Sequence, residues 1–122
     1  MREKRDGPEV LDLFAAAMAG GSGAILIRES DDLDLNLVRF AAGAGVAPHL
    51  NREVDVLMVV MVGSGTVTVE NEAVTLSAGK AVLIPKGVER AIRSAEEDEL
   101  VYLTVHRRRR GLMPARRGTP DR

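Results

Sequence analysis

Short apolar segments alternate with turn residues along most of the chain, and this spacing constrains the fold more than any other feature. Runs rich in Val, Ile and Leu end repeatedly at Gly, Pro, Asn or Ser. Many short strands separated by turn signals are typical of an antiparallel sandwich or barrel, so the predicted fold class is all-β. The predicted strands cover residues 24–28, 33–41, 54–62, 66–70, 73–76, 81–84, 89–93 and 99–106.

One short helix is predicted before the first strand, over residues 8–19. Pro8 suits the first helical turn, the apolar residues from Val10 to Phe14 form a stripe, and Gly20 and Gly21 end the helix. The chain then divides into a helical segment over residues 1–22, a β domain over 23–106 and an Arg-rich tail over 107–122.

Two glycine-containing segments are predicted to be turns, residues 43–48 and residues 63–65. The segment between them, residues 54–62, is apolar with too little alternation for a half-exposed strand. A second sheet or a partner subunit is therefore expected to cover its outer face. Together with exposed strand edges, this predicts a homodimer. Met58 and Met61 in this strand fit core packing or a dimer contact.

The last predicted strand alternates between two faces. Val101 and Leu103 are expected to face the core, which places Tyr102 on the outer face. His106 shares the face of Tyr102 and is expected to be exposed. Its neighbours Arg107 to Arg110 form a charge run that is typical of a solvated tail, with a clamp onto a partner subunit as the alternative.

Composition excludes several classes of function. The chain has no Cys, which removes disulfides, thiol catalysis and Cys-ligated metals, and only two His, which argues against a poly-His metal site. Aromatic residues make up 2% of the chain, too few for recognition of nucleic acids by base stacking.

Charge is distributed unevenly. Residues 107–122 hold seven of the 17 Lys and Arg residues but one of the 18 Asp and Glu residues, so the preceding body is acidic. An acidic body repels nucleic acid, and no nucleic-acid partner is expected. No apolar run is long enough for a membrane span, and the N-terminus lacks a clean secretory signal because Asp12 interrupts its apolar segment. A cytoplasmic location is expected.

Residues 43–94 carry two spaced motifs. The first is Gly43, the five residues AGVAP, His49-Leu50-Asn51 and a closing Gly63. The second is Gly79, the five residues KAVLI, Pro85-Lys86-Gly87, two residues, Arg90, three residues and Ser94. Their spacing resembles the paired motifs of the cupin superfamily. The resemblance implies a cupin-type jelly-roll β-barrel with a short N-terminal helix.

The residues at the metal positions depart from those of a typical cupin, which binds a metal through three His and one Glu. His49 occupies the first His position, but Asn51 stands at the second, Val56 at the Glu position and Arg90 at the third His position. A guanidinium is always charged and has no lone pair to donate, so it disfavours a nearby cation. The sequence therefore predicts no metal and no cofactor.

The leading hypothesis is a metal-free cupin that binds a small organic anion, as a binding or sensing module. His49, Asn51 and Arg90 are its predicted ligand-binding residues, because Arg binds carboxylates and phosphates through paired hydrogen bonds. In the alternative without a ligand, Arg90 forms an internal ion pair with Asp55 or Glu53.

Enzymatic alternatives stay open. Some metal-free cupins that isomerise sugars use a His–Asp pair as base and a Tyr as acid, which here suggests His49, Asp55 and Tyr102 as candidate catalytic residues. A lyase-type reaction is a further possibility. A metal-dependent cupin with His49, Asn51 and Asp55 as non-standard ligands is the third hypothesis.

Overall fold

The computed structural model describes residues 7–108, which contain one short helix and eight strands. The helix precedes all the strands, as predicted. The elements are α1 (Leu13–Met18), β1 (Gly23–Glu29), β2 (Leu33–Phe40), β3 (Gly45–Leu50), β4 (Val56–Val69), β5 (Glu72–Ser77), β6 (Ala81–Ile84), β7 (Glu89–Ser94) and β8 (Leu100–Arg107).

The strands form a curled antiparallel sheet in the order β1-β2-β8-β4-β7-β3, with β5 and β6 also paired to β4. The first half of β4 pairs with β6 and β8, and its second half pairs with β5 and β7. The strand therefore belongs to both walls of a jelly-roll barrel. The predicted all-β barrel with a short N-terminal helix is confirmed.

Two apolar clusters form on opposite sides of the wall that carries β2 and β8. The first lies inside the barrel and includes Met58, Val60, Ile92 and Tyr102. The second lies between the outer face of this wall and α1, where Ala17, Leu37 and Val101 are buried together. Both faces of β8 are thus covered, and this reverses one prediction: Val101 faces α1, and Tyr102 faces the barrel interior.

The predicted turn at residues 63–65 is wrong, because β4 runs through it without interruption. The register between β4 and β8 shifts between Val60 and Val62, and Gly63 has a φ of 81°. A Cβ at Gly63 would overlap the carbonyl oxygen of Glu99, and one at Gly65 would lie 2.6 Å from the carbonyl oxygen of Arg93. The glycines here allow a strand to bend around a barrel corner. Their sequence pattern is the same as that of a glycine-rich turn.

Residues 43–48 were predicted to be a turn, but β3 begins within them at Gly45. β3 pairs only with β7 in the described sheet, and its register shifts between Val46 and His49, on either side of Pro48. An edge strand tolerates proline because one side of its backbone makes no ladder hydrogen bonds. Because Gly and Pro have a low propensity for strands, the sequence of such an edge strand predicts a turn instead.

The helix is shorter than the predicted 8–19. It begins after Asp12, whose Oδ1 accepts a hydrogen bond from the Ala15 backbone N–H at 3.0 Å. The expected apolar stripe does not face the core, since Val10 and Phe14 are exposed, and Ala17 is the helix residue buried against the sheet. At six residues, α1 is too short to cross a membrane, and residues 7–108 contain no helix that could.

The first two arginines of the tail contact the barrel. Arg107 donates from Nη2 to the carbonyl oxygen of Glu53 at 3.1 Å, and Arg108 donates from Nη1 to the carbonyl oxygen of Ser30 at 2.9 Å. Arg108 Nη1 also lies 3.5 Å from the carboxylate of Glu29. The rest of the predicted tail, residues 109–122, lies outside the described residues.

The corner in β4 generates a stability prediction. Gly63 and Gly79 both have positive φ, but only a Cβ at Gly63 would meet backbone atoms. Gly79→Ala is expected to cost about 1 kcal/mol through its backbone conformation alone. Gly63→Ala adds overpacking and is expected to cost roughly 3 kcal/mol or more. Urea unfolding followed by circular dichroism measures both, and equal costs would contradict the steric role of this corner.

Candidate functional site

The barrel interior holds a cavity of about 610 Å³, which we call the inner cavity. Its wall is mostly apolar, with polar side chains contributed by β2, β3, β7 and β8. It is lined by Ala24, Asn36, Val38, Phe40, Val46, Ala47, Pro48, His49, Arg90, Ile92, Tyr102 and Thr104. The volume is within the usual range for small-molecule sites, and so is the combination of an apolar wall with few polar groups.

His49 and Arg90 lie side by side in the inner cavity, as the motif spacing predicts. They are directly opposite each other on β3 and β7, and Arg90 donates from Nε to His49 Nε2 at 3.1 Å. His49 Nδ1 lies 3.2 Å from the carbonyl oxygen of Ala47, which can only accept a hydrogen bond. The network therefore assigns the proton to Nδ1 and leaves the Nε2 lone pair to Arg90.

Arg90 is 7% exposed, which is unusual for a charged residue. Burial alternates along β7, so that Arg90, Ile92 and Ser94 are buried while Glu89 and Arg93 are exposed. The strand period thus directs Arg90 into the barrel. Its guanidinium is shielded from solvent there, and hydrogen bonds from a charged group to an anion are strong in such a position.

Asn51, the third predicted ligand-binding residue, has a local role in the chain. It is fully buried, and its Oδ1 accepts hydrogen bonds from the backbone N–H groups of Glu53 at 2.9 Å and Val54 at 3.2 Å. This is an Asx turn that leads into β4. Asn51 lines neither the inner cavity nor the second cavity described below, so its role in ligand binding stays a prediction.

Asp55 and Val56 face opposite ways. Val56 is 4% exposed and faces the barrel, whereas Asp55 is exposed and its Oδ1 accepts from the Lys86 backbone N–H at 2.9 Å. Asp55 therefore does not form the hypothetical catalytic dyad with His49. Of the neighbours Asp55 and Val56, Asp55 is the one that points away from the interior. The apolar Val56 occupies the Glu position of the family motif.

Tyr102 lies inside the barrel, 5% exposed, where it contributes to the wall of the inner cavity. It is opposite Val38 on one side and Val60 on the other, and its ring meets that of Phe40 edge to face with centroids 5.7 Å apart. Burial raises the pKa of Tyr102 from its ordinary value of 10.0 to about 12, although the positive charge of Arg90 acts in the opposite direction.

A second, smaller cavity of about 440 Å³ lies at one end of the barrel, and we call it the end cavity. It is lined by Ile27, Arg28, Glu29, Asp34, Asn36, Val56, Arg90, Thr104 and His106. Asn36, Arg90 and Thr104 line both cavities, which places the guanidinium where the two meet.

Sequence reasoning missed the polar residues that β2 and β8 direct inward. Asn36 is opposite Thr104, and Asp34 is opposite His106. The prediction that His106 lies on an exposed face is wrong, because that face lines the barrel and His106 contributes to the end cavity. The sequence did show the alternation of Tyr102, Thr104 and His106 on one face, but that face was assigned to the outside of the sheet, whereas it lines the same cavities as Arg90.

The described donors do not fit the metal that the family motifs imply. The one retained ligand, His49, has its Nε2 lone pair directed at Arg90, and a permanent positive charge occupies the third His position. The non-standard set does not converge, since Asn51 Oδ1 caps a turn and Asp55 is exposed. Within residues 7–108, no three His, Asp or Glu side chains are grouped so that they could hold a metal ion.

Comparisons with known proteins agree with this architecture. The sequence profile of the family described as Cupin domain matches residues 36–106. The structure of KdgF from a Halomonas species is 30% identical, with a TM-score of 0.63 over 72% of this chain and 80% of that one.

Two further solved structures share the fold at lower identity. A cupin protein from Bacteroides fragilis is 21% identical, with a TM-score of 0.61 over 73% of each chain. A cupin-2 domain containing protein from Shewanella frigidimarina is 22% identical, with a TM-score of 0.66 over 81% of this chain and 95% of that one. No curated protein sequence matches the chain.

The buried phenol generates a pH prediction. Because the folded-state pKa of Tyr102 is about 12 and its ordinary value is 10.0, its contribution to stability is complete below pH 10 and is lost as the pH rises to about 12. A shift of this size corresponds to roughly 3 kcal/mol. Tyr102 is the only tyrosine and the chain has no Trp, so near-ultraviolet absorbance reports its ionisation directly.

The control is Tyr102→Phe, which should lose stability less steeply than the wild type over the same pH interval. The free energy of unfolding is plotted against pH for both proteins. The difference between the two plots removes the titration of Lys and Arg, which both proteins share. A phenol that titrates near pH 10 in the folded protein would contradict its burial beside the cavity.

Proposed function

We propose that this chain, which belongs to the cupin family, is a metal-free cupin that binds a small organic anion in its inner cavity. The observation that carries the proposal is Arg90, a guanidinium that is 7% exposed and lines a cavity walled mainly by apolar side chains. A cation in such surroundings favours an anionic partner, and the planar guanidinium matches the geometry of carboxylate or phosphate.

His49 has a positioning role in this proposal. Its hydrogen bond to Arg90 Nε directs the guanidinium, and its own ring is oriented through the Ala47 carbonyl oxygen. An arginine held from one edge loses less conformational freedom when a ligand binds, which strengthens binding without adding contacts. His49 therefore acts through Arg90.

Uncharged polar side chains complete the expected contacts. The Tyr102 hydroxyl, the Thr104 hydroxyl and the Asn36 amide line the same cavity and offer both donors and acceptors. Val38, Phe40 and Ile92 supply apolar surface. A ligand with one anionic group and a short organic body fits this wall better than an inorganic anion alone.

Two enzymatic alternatives receive less support. The isomerase hypothesis needs a carboxylate beside His49, and Asp55 accepts from Lys86 on the outside of the barrel. The metal-dependent hypothesis needs a free nitrogen lone pair on His49, which is engaged by Arg90. Stoichiometric zinc, iron, manganese or nickel in the purified protein would contradict the proposal.

The first test is ligand binding by Arg90 variants. Native mass spectrometry of the purified protein should reveal a co-purified organic anion, and calorimetric titration with butyrate, succinate and phosphate probes the free site. Arg90→Leu is expected to lose the anion and to weaken carboxylate binding about 100-fold, because it removes charge-assisted hydrogen bonds.

The matched control is Arg93→Leu on the same strand, whose side chain is exposed and donates to the Gly43 carbonyl oxygen. It removes the same charge outside the barrel and is expected to bind like the wild type. Anion binding that survives in a folded Arg90→Leu protein would refute the proposed site.

We also propose that the chain forms a homodimer through the outer face of β4 and β6. Leu57 and Leu83 are opposite each other on these strands and are 39% and 66% exposed. A cross-strand pair of exposed leucines is the kind of surface that a second copy can cover at a two-fold axis.

Light scattering at micromolar concentration is expected to report a dimer, and Leu83→Glu is expected to yield a monomer because it places charges at the interface. Thr75→Glu on β5, also exposed, is the control and should remain dimeric. A monomeric wild type would contradict this part of the proposal.

A further inference from the structure

The end cavity has an acidic wall that the anion site does not use. Glu29, Asp34 and His106 lie in one row across β1, β2 and β8, because Glu29 is opposite Asp34 and Asp34 is opposite His106. All three line this cavity. The charge of the row is opposite to that of Arg90, which lines the same space.

Asp34 is the residue of this row whose carboxylate needs a donor. Its Oδ1 is buried and has no hydrogen-bond partner among residues 7–108. Buried carboxylate oxygens are stabilised by hydrogen bonds, and leaving one without a donor is costly. Glu29, in contrast, is partly neutralised by Arg108, whose Nη1 lies 3.5 Å from its carboxylate.

His106 adds an acceptor to the same wall. Its Nδ1 lies 2.9 Å from the Arg107 carbonyl oxygen, so this nitrogen carries the proton of the neutral ring. The other ring nitrogen, Nε2, is then an acceptor. Asp34 and His106 can thus both accept a hydrogen bond, whereas the guanidinium of Arg90 can donate one.

One ligand can reach both ends of this space. Asn36 and Thr104 line both cavities and lie between the row of Tyr102 and the row of His106. On β8, Thr104 and His106 are two residues apart, which is about 7 Å along a strand, so the row of Asp34 lies about that far from the row that lines both cavities. An anionic group at Arg90 and a donor group at Asp34 therefore fit within one small molecule.

We propose that the ligand is a zwitterion, with a carboxylate bound by Arg90 and a protonated amine bound by Asp34 and His106. The inference rests on the proposed anion site and specifies the second group of the ligand. A dicarboxylate is disfavoured, because its second charge would face Asp34 and Glu29. The ligand class is therefore amino-carboxylates with separated charges.

The experiment compares carboxylates that differ only in the amine. γ-Aminobutyrate, δ-aminovalerate and ε-aminocaproate are titrated calorimetrically at pH 7 against butyrate, valerate and caproate. In the wild type, the best amino-carboxylate is expected to bind about tenfold or more tightly than its partner without the amine, since a charge-assisted hydrogen bond is worth at least that factor.

Asp34→Asn keeps the size of the side chain and removes its charge, so in this variant the amino-carboxylate should bind no more tightly than its partner without the amine. Asp31→Asn, in the exposed turn between β1 and β2, removes the same charge outside the cavity and should keep the advantage. Thermal unfolding checks that both variants fold.

The outcomes separate this inference from the proposed function. Equal affinity for amino and plain carboxylates in the wild type overturns the zwitterion and leaves the anion site intact. An advantage that persists in a folded Asp34→Asn protein overturns the assigned amine site. No binding by any carboxylate in the series overturns both.

Discussion

One strand, β4, belongs to both walls of the barrel, and the rest of the structure depends on how it bends. Its first half pairs with β6 and β8 and its second half with β5 and β7. The bend is possible because Gly63 has a positive φ and because side chains at Gly63 or Gly65 would collide with neighbouring backbone. This corner places β7, which pairs with the second half of β4, on the wall that faces β8. Arg90 on β7 and Tyr102 on β8 share a cavity for this reason.

The contact between Arg90 and His49 decides what chemistry this cavity favours. A guanidinium at the third His position of the family motif adds a permanent charge where a metal would lie, and it also engages the lone pair of the remaining His. One residue thus affects two of the metal-ligand positions of the family motif. These contacts support the proposed anion at Arg90, and the adjoining end cavity, which Asp34 and His106 line, supports the proposed donor group.

Much of the fold could be predicted from the sequence, because glycine, proline and apolar segments report backbone conformation locally. The strands 81–84 and 89–93 were predicted nearly as found, and the pairing of His49 with Arg90 followed from the motif spacing. β3 was missed because an edge strand tolerates Gly and Pro. The continuity of β4 was missed because a glycine at a barrel corner has the same sequence signature as one in a turn.

The sequence by itself determined the fold class, the motif positions and the charge at position 90, since each of these is a property of residue type and spacing. Tertiary structure alone decided which face of β2 and β8 is the inside. Both faces are covered, one by the opposite wall and the other by α1, so the more apolar face was mistaken for the interior. Alternation shows that two faces differ, but it does not show which partner covers each one. For that reason Tyr102, Thr104 and His106, which the sequence assigned to an outer face, line cavities of the barrel.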